Sequence, residues 1–267
     1  MSRKVPKKLI IGTVGLVIIG VGMGIWRLIS PKIPTEMTKP NKPKAAVNII
    51  PLEERPYVTL QPLAGRNELE LKIYELKKPA SNGEVTLEYD RNKGVLDSVY
   101  RTFSLTNFPF TMELFLGSKS AGGHITYHED VIGGTLRLDF HDEEYALEVP
   151  WRYDDTQKSY SQLATTDGFF QLSLTKPIKQ AKVIVMQSPG LPELIEGKVL
   201  AGPFLVATVG ELPETTAEVK IRMAEESDSA VVYGWDGTKW VDYETTIEGK
   251  TVSAKGDLVS TYVVVSS

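Results

Sequence analysis

The chain has no cysteine. That excludes disulfides, thiolate metal ligands and a thiol nucleophile, and with them a small secreted disulfide scaffold. Histidine is scarce, with 3 residues in 267. G-x-S-x-G, a P-loop, G-x-G-x-x-G after a strand and H-E-x-x-H are all missing, so no motif-bearing enzyme class finds support. Helical apolar periodicity is lacking beyond residue 26. The best stretch, Leu191–Leu200, is short, carries Pro192 and Gly197, and reads as a loop or a brief helical turn. Clustered positive charge is also missing after residue 44, where 21 basic residues face 33 acidic ones, a net of −12. Phosphate backbones need clustered cations, which excludes nucleic acid as a partner.

What is present begins with an apolar run. Leu9–Trp26 (LIIGTVGLVIIGVGMGIW) holds 18 residues without a charge. As a helix it would span roughly 27 Å, close to the hydrocarbon core of a bilayer. Lys7 and Lys8 precede it, and Trp26 and Arg27 close it with an interfacial aromatic and a snorkelling cation. No small-x-small cleavage site follows, so the run is expected to be an uncleaved signal anchor in membrane lipid. Gly20-x-x-x-Gly24 has helix-packing spacing and is read simply as part of a Gly-rich anchor. The denser basic flank, residues 1–8, is expected to be a cytoplasmic tail, with the bulk of the chain extracellular or periplasmic. Residues 9–28 form the anchor, and 29–56 a spacer whose second part, 31–56, carries six prolines and reads as extended and semi-rigid.

From Tyr57 onward the pattern is strand after strand. Glu68–Ile73, Glu84–Asp90, Thr135–Phe140 and Ala217–Met223 alternate polar and apolar residues, as a half-solvated antiparallel sheet requires. Asn82-Gly83, Lys93-Gly94, Gly133-Gly134, Asp167-Gly168, Asp236-Gly237, Glu248-Gly249 and Lys255-Gly256 supply turn signals between them. The expected fold class is all-β: antiparallel β-sandwiches, Ig-like or jelly-roll-like, preceded by one transmembrane helix. A Pro- and Gly-rich stretch near 178–198 suggests two sandwich domains, 57–180 and 181–267.

Two stretches resemble known families. Val231–Val241 (VVYGWDGTKWV), Thr245–Val252 and Ser260–Val264 are similar to the closing strands of Ig-like modules of prokaryotic surface proteins. The resemblance implies a Trp235/Trp240 hairpin turned at Asp236-Gly237, a second hairpin at Glu248-Gly249, and a last strand burying Tyr262 and valines. Glu84–Asp90 with Val95–Val99 resembles, more weakly, the opening of cohesin-like sandwiches, which implies a jelly-roll sandwich that binds a partner module.

Chemistry-bearing residues are few. His124, His128 and His141 lie among acids, and if Gly133-Gly134 turned a hairpin, His124 would face His141 in a zinc-like site. The alternative is a solvent-facing polar strand pair. Asp142-Glu143-Glu144, Asp154-Asp155 and Glu225-Glu226-Ser227-Asp228 offer oxygens for calcium without the spacing of a calcium loop. Ser173-Leu174-Thr175-Lys176 matches S-x-x-K but ends a strand-like run rather than starting a helix. No cofactor is called for. Phe108, Phe110 and Tyr153, near turns, are the candidate partner-binding aromatics. The reading is a membrane-anchored binding or structural protein for a protein or polysaccharide partner, not an enzyme. An accessory subunit of a membrane complex and a metal-dependent hydrolase are the alternatives.

Overall fold

The computed structural model describes residues 45–65, 67–91, 94–142, 145–155, 159–179 and 182–266. The Leu9–Trp26 run, the basic tail and the spacer up to residue 44 lie outside them. Among the described residues no helix is long and apolar enough to cross a membrane.

Among the described residues, apart from one 3-10 turn at Leu52–Glu54, the regular structure is all strand. In chain order the strands are β1 (Val58–Pro62), β2 (Glu68–Ile73), β3 (Asn82–Arg91), β4 (Val95–Ser104), β5 (Phe110–Phe115), β6 (Gly117–Lys119) and β7 (Ile125–Tyr127). Then come β8 (Val131–Phe140), β9 (Tyr145–Asp155), β10 (Ser159–Ala164), β11 (Phe170–Lys179), β12 (Lys182–Gln187) and β13 (Lys198–Thr208). The last are β14 (Thr216–Arg222), β15 (Ala230–Trp235), β16 (Trp240–Tyr243), β17 (Thr245–Glu248), β18 (Thr251–Asp257) and β19 (Thr261–Ser266).

A nine-stranded antiparallel sheet, ordered β16-β15-β19-β13-β12-β9-β8-β3-β4, is the spine. A three-stranded sheet, β1-β2-β5, and a five-stranded sheet, β10-β11-β14-β18-β17, pack against it, and β6-β7 forms a small hairpin. The two packed sheets cover opposite faces. Strand β12 shows this residue by residue: Ile184 and Met186 belong to the core with Val58, Leu60, Leu69 and Leu71, while Val183 and Val185 belong to the core with Phe170, Val219 and Ile221. Neighbouring residues of a strand point to opposite faces, so β12 is buried on both sides. Its apolar run Val183–Met186 is what two-sided burial demands. Strand β13 does the same, sending Leu205 to the first core and Phe204 and Val206 to the second. One continuous sheet thus includes strands from both sides of residue 180.

The alternating segments fold as their period dictates. Leu69, Leu71 and Ile73 of β2 are fully buried, as are Val85, Leu87 and Tyr89 of β3. The turns behave less uniformly. Asp167-Gly168 and Asp236-Gly237 sit between paired strands and Glu248-Gly249 closes β17 into its turn, but Asn82-Gly83, Gly133-Gly134 and Lys255-Gly256 lie inside β3, β8 and β18. At Gly133 and Gly134 the requirement is close approach: a Cβ would lie 2.3 Å from the Trp151 carbonyl oxygen and 2.1 Å from that of Glu88. Buried Trp151 packs beside them and donates its indole N–H to the Glu88 carbonyl at 3.3 Å. Glycine here admits neighbouring strands, not a turn.

The end of the expected spacer is docked rather than extended. Val47 bridges Ala146 in parallel, the Asn48 N–H donates to the Ala146 carbonyl at 2.8 Å, and Ile50 is buried in the first core. Strand β9 pairs with β12 only from Trp151 onward, leaving its earlier edge free to accept residues 47–48.

Candidate binding cleft

The three histidines are not brought together. His124 is exposed in the β6–β7 turn. His128 precedes β8 and His141 follows it, so the strand holds them roughly 30 Å apart at 3.3 Å per residue. With Gly133-Gly134 inside β8, the hairpin that would have opposed His124 to His141 does not form. Among the described residues no group of three or more His, Asp or Glu could hold a metal ion. The carboxylates have other partners: Asp142 accepts from the Ser81 N–H, Asp154 pairs with Arg152 at 3.1 Å, and Glu225 pairs with Lys198. Hydrogen bonds from Ser81 hold the Asp142 carboxyl below its ordinary range. Ser173 and Lys176 both lie in β11, where an odd spacing sends them to opposite faces.

His128 instead joins a polar cluster under the β3–β4 hairpin. Its Nδ1 is 2.9 Å from the Tyr89 hydroxyl and 3.2 Å from Asp97 Oδ2. Arg91 Nη1 approaches the same oxygen at 3.6 Å, yet Asp97 Oδ2 and Arg91 Nε have no hydrogen-bond partner. Burial, with the Asp97 charge next, pushes the Tyr89 phenol up to about 12. An arginine this close makes the cluster a poor seat for a cation.

Of the candidate aromatics, Phe108 is exposed at 43%. Phe110 is half-buried and rests on Phe103 at 5.6 Å between ring centroids. Tyr153 corrects the expectation: at 2% exposure it belongs to the first core, its ring 6.2 Å from that of Trp151. Its place on β9 points it inward with Trp151 and Val149, so it cannot meet a partner.

A surface aromatic not singled out from the sequence is Phe169, 46% exposed, at the rim of a cleft of about 700 Å³. That volume lies in the range of small-ligand sites. Four chain segments build it. The Asp167-Gly168 turn presents Phe169, with Asp167 Oδ1 accepting from the Phe169 N–H at 2.9 Å. The end of β14 supplies Arg222, whose guanidinium lies 5.6 Å from the Phe169 ring centre. The irregular stretch of β13 from Lys198 to Phe204 forms the floor, where the pairing with β19 slips between Val199 and Phe204. The docked segment adds Leu52, Glu53 and Arg55 as a wall.

Four cations line the cleft, Arg55, Lys198, Arg222 and Lys250, against two lining carboxylates, Glu53 and Asp167, and Lys198 is already paired with Glu225. Asp167 is occupied by its turn. Arg55 is tied to the carbonyls of Ile50 at 2.9 Å and Asn48 at 2.7 Å, and burial lowers its pKa from the ordinary value. Lys250 donates to the Ala224 carbonyl at 2.9 Å with further N–H groups remaining. In a body whose net charge is strongly negative, this is a local excess of positive charge beside an exposed ring. The signal for Phe169 was available: period two puts Phe170, Leu172 and Leu174 on the inner face and therefore Phe169 on the other.

No family model, no curated protein and no solved structure matches the chain.

Proposed function

We propose that this protein is a membrane-anchored, non-catalytic binding protein of the cell envelope whose cleft takes an acidic polysaccharide. The observation that carries the reading is Phe169 beside Arg222 in the cleft, with Lys250 also lining it. An exposed ring stacks on a sugar face, and cations answer uronate or phosphate groups along the chain. The uncharged Leu9–Trp26 run supports the anchor, and the basic residues around it support an anionic lipid surface. The Trp235–Trp240 and Glu248-Gly249 hairpins agree with an Ig-like surface module, and the β3–β4 pair with a cohesin-like one.

Calorimetric titration of the full chain in mild detergent with an oligogalacturonate tests the ligand. Binding is expected, at least tenfold weaker in Phe169→Ala and in Arg222→Ala, with no binding of a neutral glucan of equal length. Equal binding of both glycans, or unchanged affinity in the two variants, would overturn the reading. The anchor is tested separately: the protein should stay with the membrane pellet after alkaline carbonate washing, and protease added to intact cells should remove its body.

A further inference from the structure

Strand β4 is the outermost strand of the nine-stranded sheet, and among the described residues its only strand partner is β3. All ten of its residues pair with β3 without a register shift. Every second backbone N–H and C=O of β4 therefore points away from the sheet. Natural edges are usually shortened, bulged, or guarded by proline or lysine. Of the other free edges, β16 and β17 have four residues each, β10 carries a bulge between Tyr160 and Gln162, and β1 ends in Pro62, while β5 is a plain edge of six residues against the ten of β4. Strand β4 has none of these devices. It also exposes Val95 (45%), Leu96 (65%) and Tyr100 (50%).

The sequence of this edge is complementary to itself. Only Asp97 and Arg101 are charged in β4, and both lie on the same face as Val99. When β4 pairs antiparallel with a second β4 about a two-fold axis at Val99, each Asp97 sits directly opposite the other copy's Arg101. Ser98 then faces Tyr100, Leu96 faces Thr102, and Val95 faces Phe103. Every other two-fold register leaves Asp97 facing an uncharged residue or its own symmetry mate. Opposite charges in directly facing positions favour one register and like charges disfavour the rest. Asp97 is 29% exposed although its Oδ2 is buried beside Arg91 and His128, and Arg101 is half-buried with its guanidinium 5.0 Å from the Phe115 ring centre.

We propose that the protein forms a two-fold homodimer by β4–β4 strand addition, joining two nine-stranded sheets into one, with reciprocal Asp97–Arg101 pairs fixing the register. The interface is isologous and closes on itself, so it stops at two copies. It is remote in sequence from the cleft residues and does not depend on what the cleft binds.

Sedimentation equilibrium of the full chain in density-matched mild detergent is expected to give twice the chain mass. Arg101→Asp should weaken self-association at least tenfold, and Leu96→Lys, a charge placed on the exposed edge, should do the same with an unchanged circular dichroism spectrum. Because the chain has no cysteine, single thiols report the register. An oxidised equimolar mixture of Ser98→Cys and Tyr100→Cys chains should yield cross-linked dimer at least tenfold faster than either alone. A single-chain mass at all concentrations, a dimer indifferent to Arg101→Asp and Leu96→Lys, or equal cross-linking by Ser98→Cys alone would overturn the proposal.

Discussion

The side-chain amide of Asn48 closes both backbone hydrogen bonds of Glu148: Nδ2 donates to the Glu148 carbonyl at 2.7 Å, and Oδ1 accepts from the Glu148 N–H at 3.1 Å. One side chain thus stands in for a strand neighbour along the free part of β9. Asn48 has φ 57°, a left-handed conformation that asparagine tolerates better than most residues. The clip holds the segment whose continuation, Leu52 to Arg55, walls the cleft. Asn48→Ala should therefore free residues 45–56, with a local opening cost reduced by about 1–2 kcal/mol. Cleavage after Glu53 or Glu54 by a glutamate-specific protease should accelerate, and acidic oligosaccharide should bind more weakly. Asn48→Gly, which keeps the backbone conformation but loses the amide, should behave alike if the two hydrogen bonds are the cause.

A spine buried on both faces predicts shared stability. Ile184 faces the first core and Ile221 the second, and both are fully buried. Truncating either to alanine should cost about 2–5 kcal/mol. Because β12 and β13 belong to both cores, each substitution should lower amide-exchange protection in strands of both packed sheets. Loss confined to β2 and β5 for Ile184→Ala, or to β11 and β14 for Ile221→Ala, would show two separable folding units instead.

The Trp235–Trp240 hairpin depends on an acid. Asp236 Oδ1 accepts from the backbone N–H groups of Thr238 at 2.8 Å and Lys239 at 2.9 Å and from the Thr238 hydroxyl at 2.8 Å. These bonds, the Lys239 one foremost, hold its pKa below the ordinary carboxylate value. A depressed folded-state pKa stabilises the fold fully above about pH 4, the ordinary aspartate value, and the contribution fades as pH falls toward the lower folded one. Asp236→Asn keeps the acceptor and loses the charge. Its tryptophan fluorescence should lack the part of the acid transition that the native hairpin shows, whereas Asp236→Ala should loosen the Trp235–Trp240 ring pair at neutral pH.

How much of this was legible differs by physical cause. Strands with one wet face announce themselves by alternation, so β2, β3, β8 and β14 could be placed from Leu69, Val85, Leu136 and Val219. The last strand was legible too, because Tyr262 and three valines have nowhere to go but inward. Strand β12 was not. Val183–Met186 has no period, and the surrounding Pro177, Pro189 and Gly190 suggested a boundary where the chain runs a strand buried on both faces. Glycine misled for a related reason: Gly133-Gly134 has turn composition, yet it answers the bulk of Trp151, a contact distant in sequence. The cleft was hidden likewise, since Arg55, Phe169, Arg222 and Lys250 meet only through the topology, and Tyr153 was lost to the core by strand parity alone.

Alkaline pH should weaken the fold through Tyr57. This residue is 6% exposed, and its hydroxyl lies 2.8 Å from Thr261 Oγ1, itself fully buried. Burial, only partly offset by the Thr261 hydrogen bond, pushes the Tyr57 phenol up to about 12. In the unfolded chain it titrates near its ordinary value of about 10. Between those values the unfolded state releases a proton that the folded state retains, so stability is complete below about pH 10 and falls as pH climbs toward 12. Two units correspond to about 2–3 kcal/mol. Tyr89 and Tyr262 are raised as well, so the native protein should lose stability steeply in this window. Tyr57→Phe isolates one contribution. At pH 8 it should be less stable by about 1–3 kcal/mol, because Thr261 Oγ1 is left buried without its partner. By pH 12 the gap to the native protein should shrink by about 2–3 kcal/mol, since phenylalanine has no proton to lose. Urea midpoints of both proteins at pH 8, 10, 11 and 12 measure this, and parallel curves across that range would place the Tyr57 hydroxyl in water rather than against Thr261.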